Sequence, residues 1–444
     1  SVPDLPDFNL IARKGEAAML PKMRLIRQNH EANPPVADVA AEMRSSLQGI
    51  GFDTAIFQGK KVGIAVGSRG ISHLVEIVRT AVSIVREAGG MPEIFAAMGC
   101  HGEASAAGQR EMLASLGILE EAVGAPIQTC DKAAYYGDTA SGIPVYGNTL
   151  PFEYDAIVLI NRVKMHTDFE DFTESGLLKL LAIGVGNPTG CMNVHTNALR
   201  YGYGTVIRET AAVMMQKLPV VLGFMLTENW KHQLDHIEAV RPEDFVPRET
   251  TLLRNVKAQA TKLPAQKADV LIVGEIGKNI SGTGMDTKVI GRIGIRGQKE
   301  PETPDIGRVV VLDITEASHG NAIGIGLADL STMEVHDKIN IHATAINAVS
   351  SMSPEQGRLP CFLQTDREAL NAAVETLGLD DPSRAHVMYI QDTNALEYLA
   401  VSEALFEEVL AKDPGIEAIG EPFELRFSEA GRLQNRWEKG TLVL

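Results

Sequence analysis

Lys61-Val62-Gly63-Ile64-Ala65-Val66 runs directly into Gly67-Ser68-Arg69-Gly70. After the lysine, both alternating sets of side chains are apolar or absent. That is the pattern of a strand covered on both faces, the habit of parallel sheets flanked by helices. The chain then switches period: Leu74, Val75, Val78, Ala81, Val82 and Val85 recur at helical spacing, Ser72 stands where an N-cap is expected, and Gly89-Gly90 closes the helix. A second strand over 93–98 ends in Gly99-Cys100-His101-Gly102, and a helix over 109–116 follows. A third strand over 156–161 empties into Lys164-Met165-His166-Thr167-Asp168. Alternating strands and helices predict βαβ units, whose ligands gather outside the carboxyl ends of the strands. Arg69, His101 and His166 all fall at such ends.

Around 258–268 the composition shifts to Lys, Gln, Ala and Pro264, and the strand pattern restarts at 269–274, 308–312 and 386–390. With 444 residues the chain is too long for one ordinary core. The expected architecture is α/β: two domains, 1–264 and 265–444, with largely parallel sheets and an active-site cleft between them. Hydrophobic residues at 45% and charged residues at 22% are those of a soluble globular protein. A net charge of −16 argues against nucleic acid or an anionic membrane surface as partner, and a small organic anion would need a local cationic pocket. Cys100, Cys130, Cys191 and Cys361 show no CxxC spacing. With no signal-like stretch or long apolar run, this predicts a cytoplasmic protein.

Beyond the third strand, Lys179 stands among leucines in Leu177-Leu178-Lys179-Leu180-Leu181, and His195 in Asn193-Val194-His195-Thr196 follows sixteen positions later, across Gly184-Val185-Gly186-Asn187-Pro188-Thr189-Gly190. Singly, each has an ordinary structural reading. A lysine amid leucines snorkels to solvent, His101 bonds within a loop, and Arg69 contacts a helix start. His319, His336 and His342 read as structural or packing residues. Three histidines can hold zinc, but no HxH or HExxH spacing is present. The weight lies on the ordered set Arg69, His101, His166, Lys179, His195.

That ordered set resembles the nickel-pincer lactate racemase family of 2-hydroxy acid racemases and epimerases, most strongly over 61–199. The resemblance implies a pyridinium-3,5-bisthiocarboxylic acid mononucleotide held covalently on Lys179. Its carbon and two sulfurs would bind nickel, and His195 would supply the fourth ligand. It further implies His101 and His166 as the bases for the substrate hydroxyl and Arg69 as a carboxylate contact, with Lys288 and Arg292 as candidates for further anion binding. The segment between His166 and Lys179 is longer than in the lactate racemase pattern, which points to a substrate other than lactate.

Residue chemistry is compatible with this. A carbanion beside a carboxylate is costly, whereas loss of hydride with loss of the hydroxyl proton gives a flat 2-oxo acid that can be reduced again on either face. Imidazole, with an ordinary pKa of about 6.5, suits the base. A guanidinium suits the carboxylate through paired hydrogen bonds, and a planar sulfur and carbon set with one imidazole suits nickel. The competing class is a small-acid or nucleotide binding protein, or an enzyme with another cofactor, on the same scaffold. A nicotinamide dehydrogenase is disfavoured, because no GxGxxG with an acidic residue about 20 positions on follows an early strand.

Overall fold

The computed structural model describes residues 20–444, so the start of the domain expected over 1–264 lies outside the described residues. By chain contacts the molecule divides into two units. One comprises Glu31–Ala260 with Arg296–Gln298, and the other comprises the described residues through His30, Thr261–Ile295 and Lys299–Leu444. Strand β1 (Met23–Gln28) therefore joins the sheet of the C-terminal unit rather than that of the residues that follow it. It lies inside that sheet, antiparallel to the strands on both sides, with Met23 and Ile26 buried in its two cores.

The N-terminal unit holds β2 (Lys61–Val66), β3 (Met91–Ala96), β4 (Ile127–Gln128), the hairpin β5 (Ala133–Asp138) and β6 (Pro144–Asn148), β7 (Ala156–Arg162), β8 (Val220–Glu228) and β9 (Leu234–Val240). Its six-stranded sheet has the order β4-β3-β2-β7-β8-β9, parallel except for β9. The central strands are buried on both faces, as the apolar run at 61–66 predicts. On β7, Ile160 packs into the core beneath the Leu74–Glu87 helix, while Leu159 packs into the opposite core with Leu177 and Val206.

That helix starts one residue later than expected. His73, in a left-handed conformation, occupies the cap position, and the Ser72 amide donates instead to Glu228 Oε1 at 2.7 Å. The helix expected at 109–116 occupies Ala106–Ser115, with the Ser105 side chain accepting from Gly108 N.

The C-terminal unit holds β10 (Lys267–Val273), β11 (Asp305–Val311), β12 (Leu330–Thr332), β13 (Cys361–Leu363), β14 (Val387–Ile390), β15 (Tyr398–Ser402) and β16 (Ile416–Phe423). Its sheet runs β13-β12-β11-β10-β14-β15-β1-β16, parallel from β13 to β14 and antiparallel beyond. The expected α/β class with largely parallel sheets is thus observed. Among the described residues, no helix is long and apolar enough to cross a membrane.

Because the sheet of the N-terminal unit is enclosed on both faces, Leu159→Ala and Ile160→Ala, on opposite faces of one strand, are both expected to cost about 2–5 kcal/mol. Denaturant unfolding of the two variants checks this; a neutral effect for either would show that its face of the sheet is not packed.

Candidate active site

Strands β3, β2 and β7 lie side by side and run the same way, with Val66 opposite both Ala96 and Ile160; β2 and β3 end there, and β7 runs on to Arg162 beside β8. Their three following loops therefore open on one edge, carrying Ser68 and Arg69, Cys100 and His101, and His166. Ser68 Oγ is hydrogen-bonded to His101 Nδ1, which links the first two loops. Gly99 takes a left-handed φ of +61°, turning the chain so that its N–H donates to Gly184 O at 3.0 Å. Gly184 permits that approach, since a Cβ there would lie 2.6 Å from Ala97 O.

Gly184 belongs to the segment that carries Lys179. A short helical turn, Leu177–Lys179, widens into a π-helical stretch over Leu180–Val185 before the Asn187–Tyr201 helix begins. Such stretches concentrate at functional sites. The turn begins against Glu249, a fully buried carboxyl from the Phe245–Gln259 helix, which accepts from Leu178 N at 3.2 Å. Burial lifts the Glu249 pKa to about 7, against the lowering effect of the Leu178 and Leu177 amides. Asn161, near the end of β7, adds a bond from Nδ2 to Gly176 O at 2.7 Å.

Lys179 retains some accessible surface but lies deep among protein atoms. Desolvation lowers its pKa to about 8; Asp168, Cys191 and Glu174 oppose this, while Arg69 adds to it. The same charge reaches His195, whose imidazole is brought to about 4, first by burial and then by Lys179. At neutral pH, His195 is an uncharged imidazole beside an amine that is partly neutral at its own pKa.

His195 Nδ1 lies 3.0 Å from Tyr203 Oη, and burial keeps the Tyr203 phenol well above its ordinary range. With Nδ1 donating to that oxygen, Nε2 presents its lone pair, the arrangement typical of a metal-ligating histidine. The Tyr203 ring also stacks on Phe169 at 5.1 Å, and Phe169 stacks on His166 at 4.5 Å. The His166 loop is fixed from below by buried Glu174, which accepts from His166 N at 2.5 Å and pairs with Lys257 at 2.6 Å.

Arg69 faces solvent at the edge, yet the protein atoms around it, and then the Arg162 charge, lower its pKa, while Cys100 raises it. It remains a cation, as guanidinium always does in proteins. In a chain of net charge −16, Arg69 and Lys179 bring positive charge to one edge.

All five residues singled out in the sequence are thus linked: Arg69 acts on Lys179, Lys179 on His195, His195 and His166 both meet Tyr203, and His101 joins through Ser68. Sequence reasoning missed Tyr203, Glu174 and Glu249, whose signals are no more than a tyrosine at a helix start and two acidic residues.

The other candidates belong to the C-terminal unit. Arg292 pairs with Asp329 at 2.8 Å and donates to the carbonyls of Leu327 and Ile306, a structural commitment that corrects its reading as an anion contact. Lys288 lies on the short Thr287–Ile290 helix of the C-terminal unit. His319 caps a turn with φ +47°, and His336 packs edge-on to Phe362. No group of three His, Cys, Asp or Glu side chains able to hold a metal ion occurs among the described residues. A cavity of about 190 Å³ beside His236 and Arg248 contains none of the five residues.

An enclosed amine, a neutral imidazole and an edge cation thus gather on a doubly covered, largely parallel sheet of an α/β scaffold. No protein-family model and no curated protein sequence matches the chain. Among solved structures, that of the lactate racemase apoprotein from Thermoanaerobacterium thermosaccharolyticum is similar, with a TM-score of 0.51 at 12% identity, covering 83% of this chain and 94% of that one. The chain therefore has the lactate racemase fold.

Glu249 gives the site a stability signature. An acid held at about 7 when folded and near its ordinary value of 4.5 when unfolded favours the folded state most below 4.5. That contribution declines as pH rises from 4.5 towards 7 and is level above 7. The stability difference between wild type and Glu249→Gln should fall across that window in denaturant titrations; a pH-independent difference would mean that Glu249 is not buried as an acid.

Proposed function

We propose that the protein is a racemase or epimerase of a 2-hydroxy acid that uses a nickel-pincer pyridinium mononucleotide. The observation that carries this reading is the convergence of Arg69, His101, His166, Lys179 and His195 at one sheet edge, from separate segments of a lactate racemase fold. The residues suit the group: Lys179 is an enclosed amine with a lowered pKa, and His195 is neutral with Nδ1 engaged by Tyr203. Lys179 would hold the nucleotide through a thioamide, and His195 Nε2 would face the nickel. When bound, the group supplies a reversible hydride acceptor.

The remaining work falls to the chain itself. Arg69 offers two parallel N–H groups to the substrate carboxylate, and its charge offsets the repulsion of a strongly acidic protein. His101 and His166 follow β3 and β7, which flank β2 on opposite sides, so each can take the hydroxyl proton of one enantiomer while the other gives a proton to the product. Ser68 holds the His101 ring at Nδ1, and with Nδ1 donating to it His101 Nε2 is left to accept a proton; the Asp168 amide donates to His166 Nδ1 at 3.0 Å, which puts that ring's proton on Nε2, so His166 takes up a further proton at Nδ1 only once this bond is released. Phe169 and the Tyr203 ring give His166 an apolar wall, which excludes water from the flat 2-oxo acid.

The test is a panel of short, dicarboxylic and sugar-derived 2-hydroxy acids offered to the cofactor-loaded protein, with optical purity followed. Loss of optical purity for one member supports the reading; binding of an acid with no inversion of any member favours the binding-protein alternative.

His101→Ala and His166→Ala should each stop racemisation, yet each should still reduce the bound cofactor from one enantiomer, with opposite preference, in rapid-mixing spectroscopy. Equal reduction from both enantiomers by both variants would exclude the two-base assignment. Arg69→Lys keeps the charge but loses the paired contact, about 1.5–3 kcal/mol, and should lower kcat/KM by about ten- to a hundredfold. An unchanged kcat/KM would place the carboxylate contact elsewhere.

A further inference from the structure

Two thiols meet at this edge, and the reaction does not use them. Cys100 is exposed on the turn after β3, and Cys191 is 2% exposed in the Asn187–Tyr201 helix. Their sulfurs are 3.5 Å apart, with the Cys191 thiol donating to Cys100 Sγ. The backbone holds them there: a Cβ on Gly99 would lie 3.3 Å from Cys191 Sγ, so the turn rests directly on the helix. Arg69 is electrostatically coupled to Cys100, the kind of cationic neighbour that favours a thiolate. Cys130 is half-buried and bonded to Thr149, and Cys361 is on an edge strand of the other unit, so neither belongs to the pair.

We propose that Cys100 and Cys191 form a reversible disulfide, an oxidative modification site that closes the sheet edge. A low-molecular-weight disulfide such as glutathione disulfide is the oxidant. The Cys100 thiolate attacks one of its sulfurs, the disulfide bond breaks, and one glutathione departs as thiolate. Cys191, having given up its proton, then attacks Cys100 Sγ and expels the second glutathione. Two protein thiols are oxidised, one small disulfide is reduced to two thiols, and the two protons end on the departing glutathiones. Burial of Cys191 beneath the turn makes it the resolving partner and the solvent-facing Cys100 the attacking one.

Closing the sulfurs to about 2.05 Å draws the turn onto the helix. The turn carries His101 in the next position, and the helix carries His195 one turn after Cys191. Oxidation thus displaces a base and tightens the wall beside Lys179, which Cys191 already influences. Formation of the bond stands on the thiols alone; its consequence for turnover rests on the proposed function.

The experiment incubates the full chain with glutathione disulfide, then maps its peptides without reduction. The expected result is a Cys100–Cys191 linked pair that disappears on treatment with a thiol reductant, and, in Cys191→Ser, a glutathione retained on Cys100. Wild-type protein that carries glutathione on Cys100 without the link, or is modified at neither position, overturns the proposal. On loaded protein, racemisation should fall in proportion to the linked fraction and return on reduction. A linked protein that keeps full activity overturns the closing of the site while leaving the bond itself established. A protein that links but never racemises shows instead that the functional reading has failed.

Discussion

The parallel hydrogen-bonded register of β3, β2 and β7 is the constraint on which the rest depends. With Val66 level with Ala96 on one side and Ile160 on the other, three chain segments leave the sheet on the same edge, β7 after two further residues paired with β8. The sheet is enclosed by apolar side chains on both faces, so a slip of one residue would exchange its two cores and expose neither. Polar side chains that follow the last paired residue have nowhere to go but outward. Arg69, His101 and His166 come together for that reason, although long stretches of sequence separate them.

Against that fixed edge, the segment of Lys179 and His195 is held by groups drawn from elsewhere. Glu249 meets the start of the lysine turn, Gly184 lets the widened helix touch the end of β3, and Tyr203 spans the two histidines that flank it. The outcome is electrostatic. The lysine is desolvated beside a cationic arginine, and its charge in turn helps keep His195 neutral. An amine whose pKa is lowered to about 8 and an imidazole that does not take up a proton form a pair suited to covalent attachment and metal ligation. In a chain with a formal charge of −16, the cations at this edge are a local exception, and an anionic substrate would be drawn there.

Much of this was legible in the sequence because the governing signals are local. An apolar run followed by a polar turn reports both a strand and its open end, so the strand-end positions of Arg69, His101 and His166 followed from pattern alone. The ordered lysine and histidine completed the set through resemblance. What escaped depends on contacts between distant residues. Nothing near Ser72 shows that its amide is taken by Glu228 and that His73 will take the cap position. Nothing near Met23 shows that this strand will join the sheet of the C-terminal unit. Glu174 and Glu249 look like ordinary surface acids until their burial is known, and Arg292 looks like an available cation until Asp329 and two carbonyls are found to occupy it. The thiol pair was hidden for the same reason, since 91 positions separate its members.

The central claim is that Lys179 and His195 hold a nickel-bearing nucleotide, and intact-protein mass with metal analysis after co-expression with the cofactor-making enzymes tests it most directly. The account predicts a single covalent adduct mapped to Lys179 with about one nickel per chain, no adduct in Lys179→Ala, and an adduct with little nickel in His195→Ala. An unmodified wild-type chain, or an adduct that persists in Lys179→Ala, would contradict it.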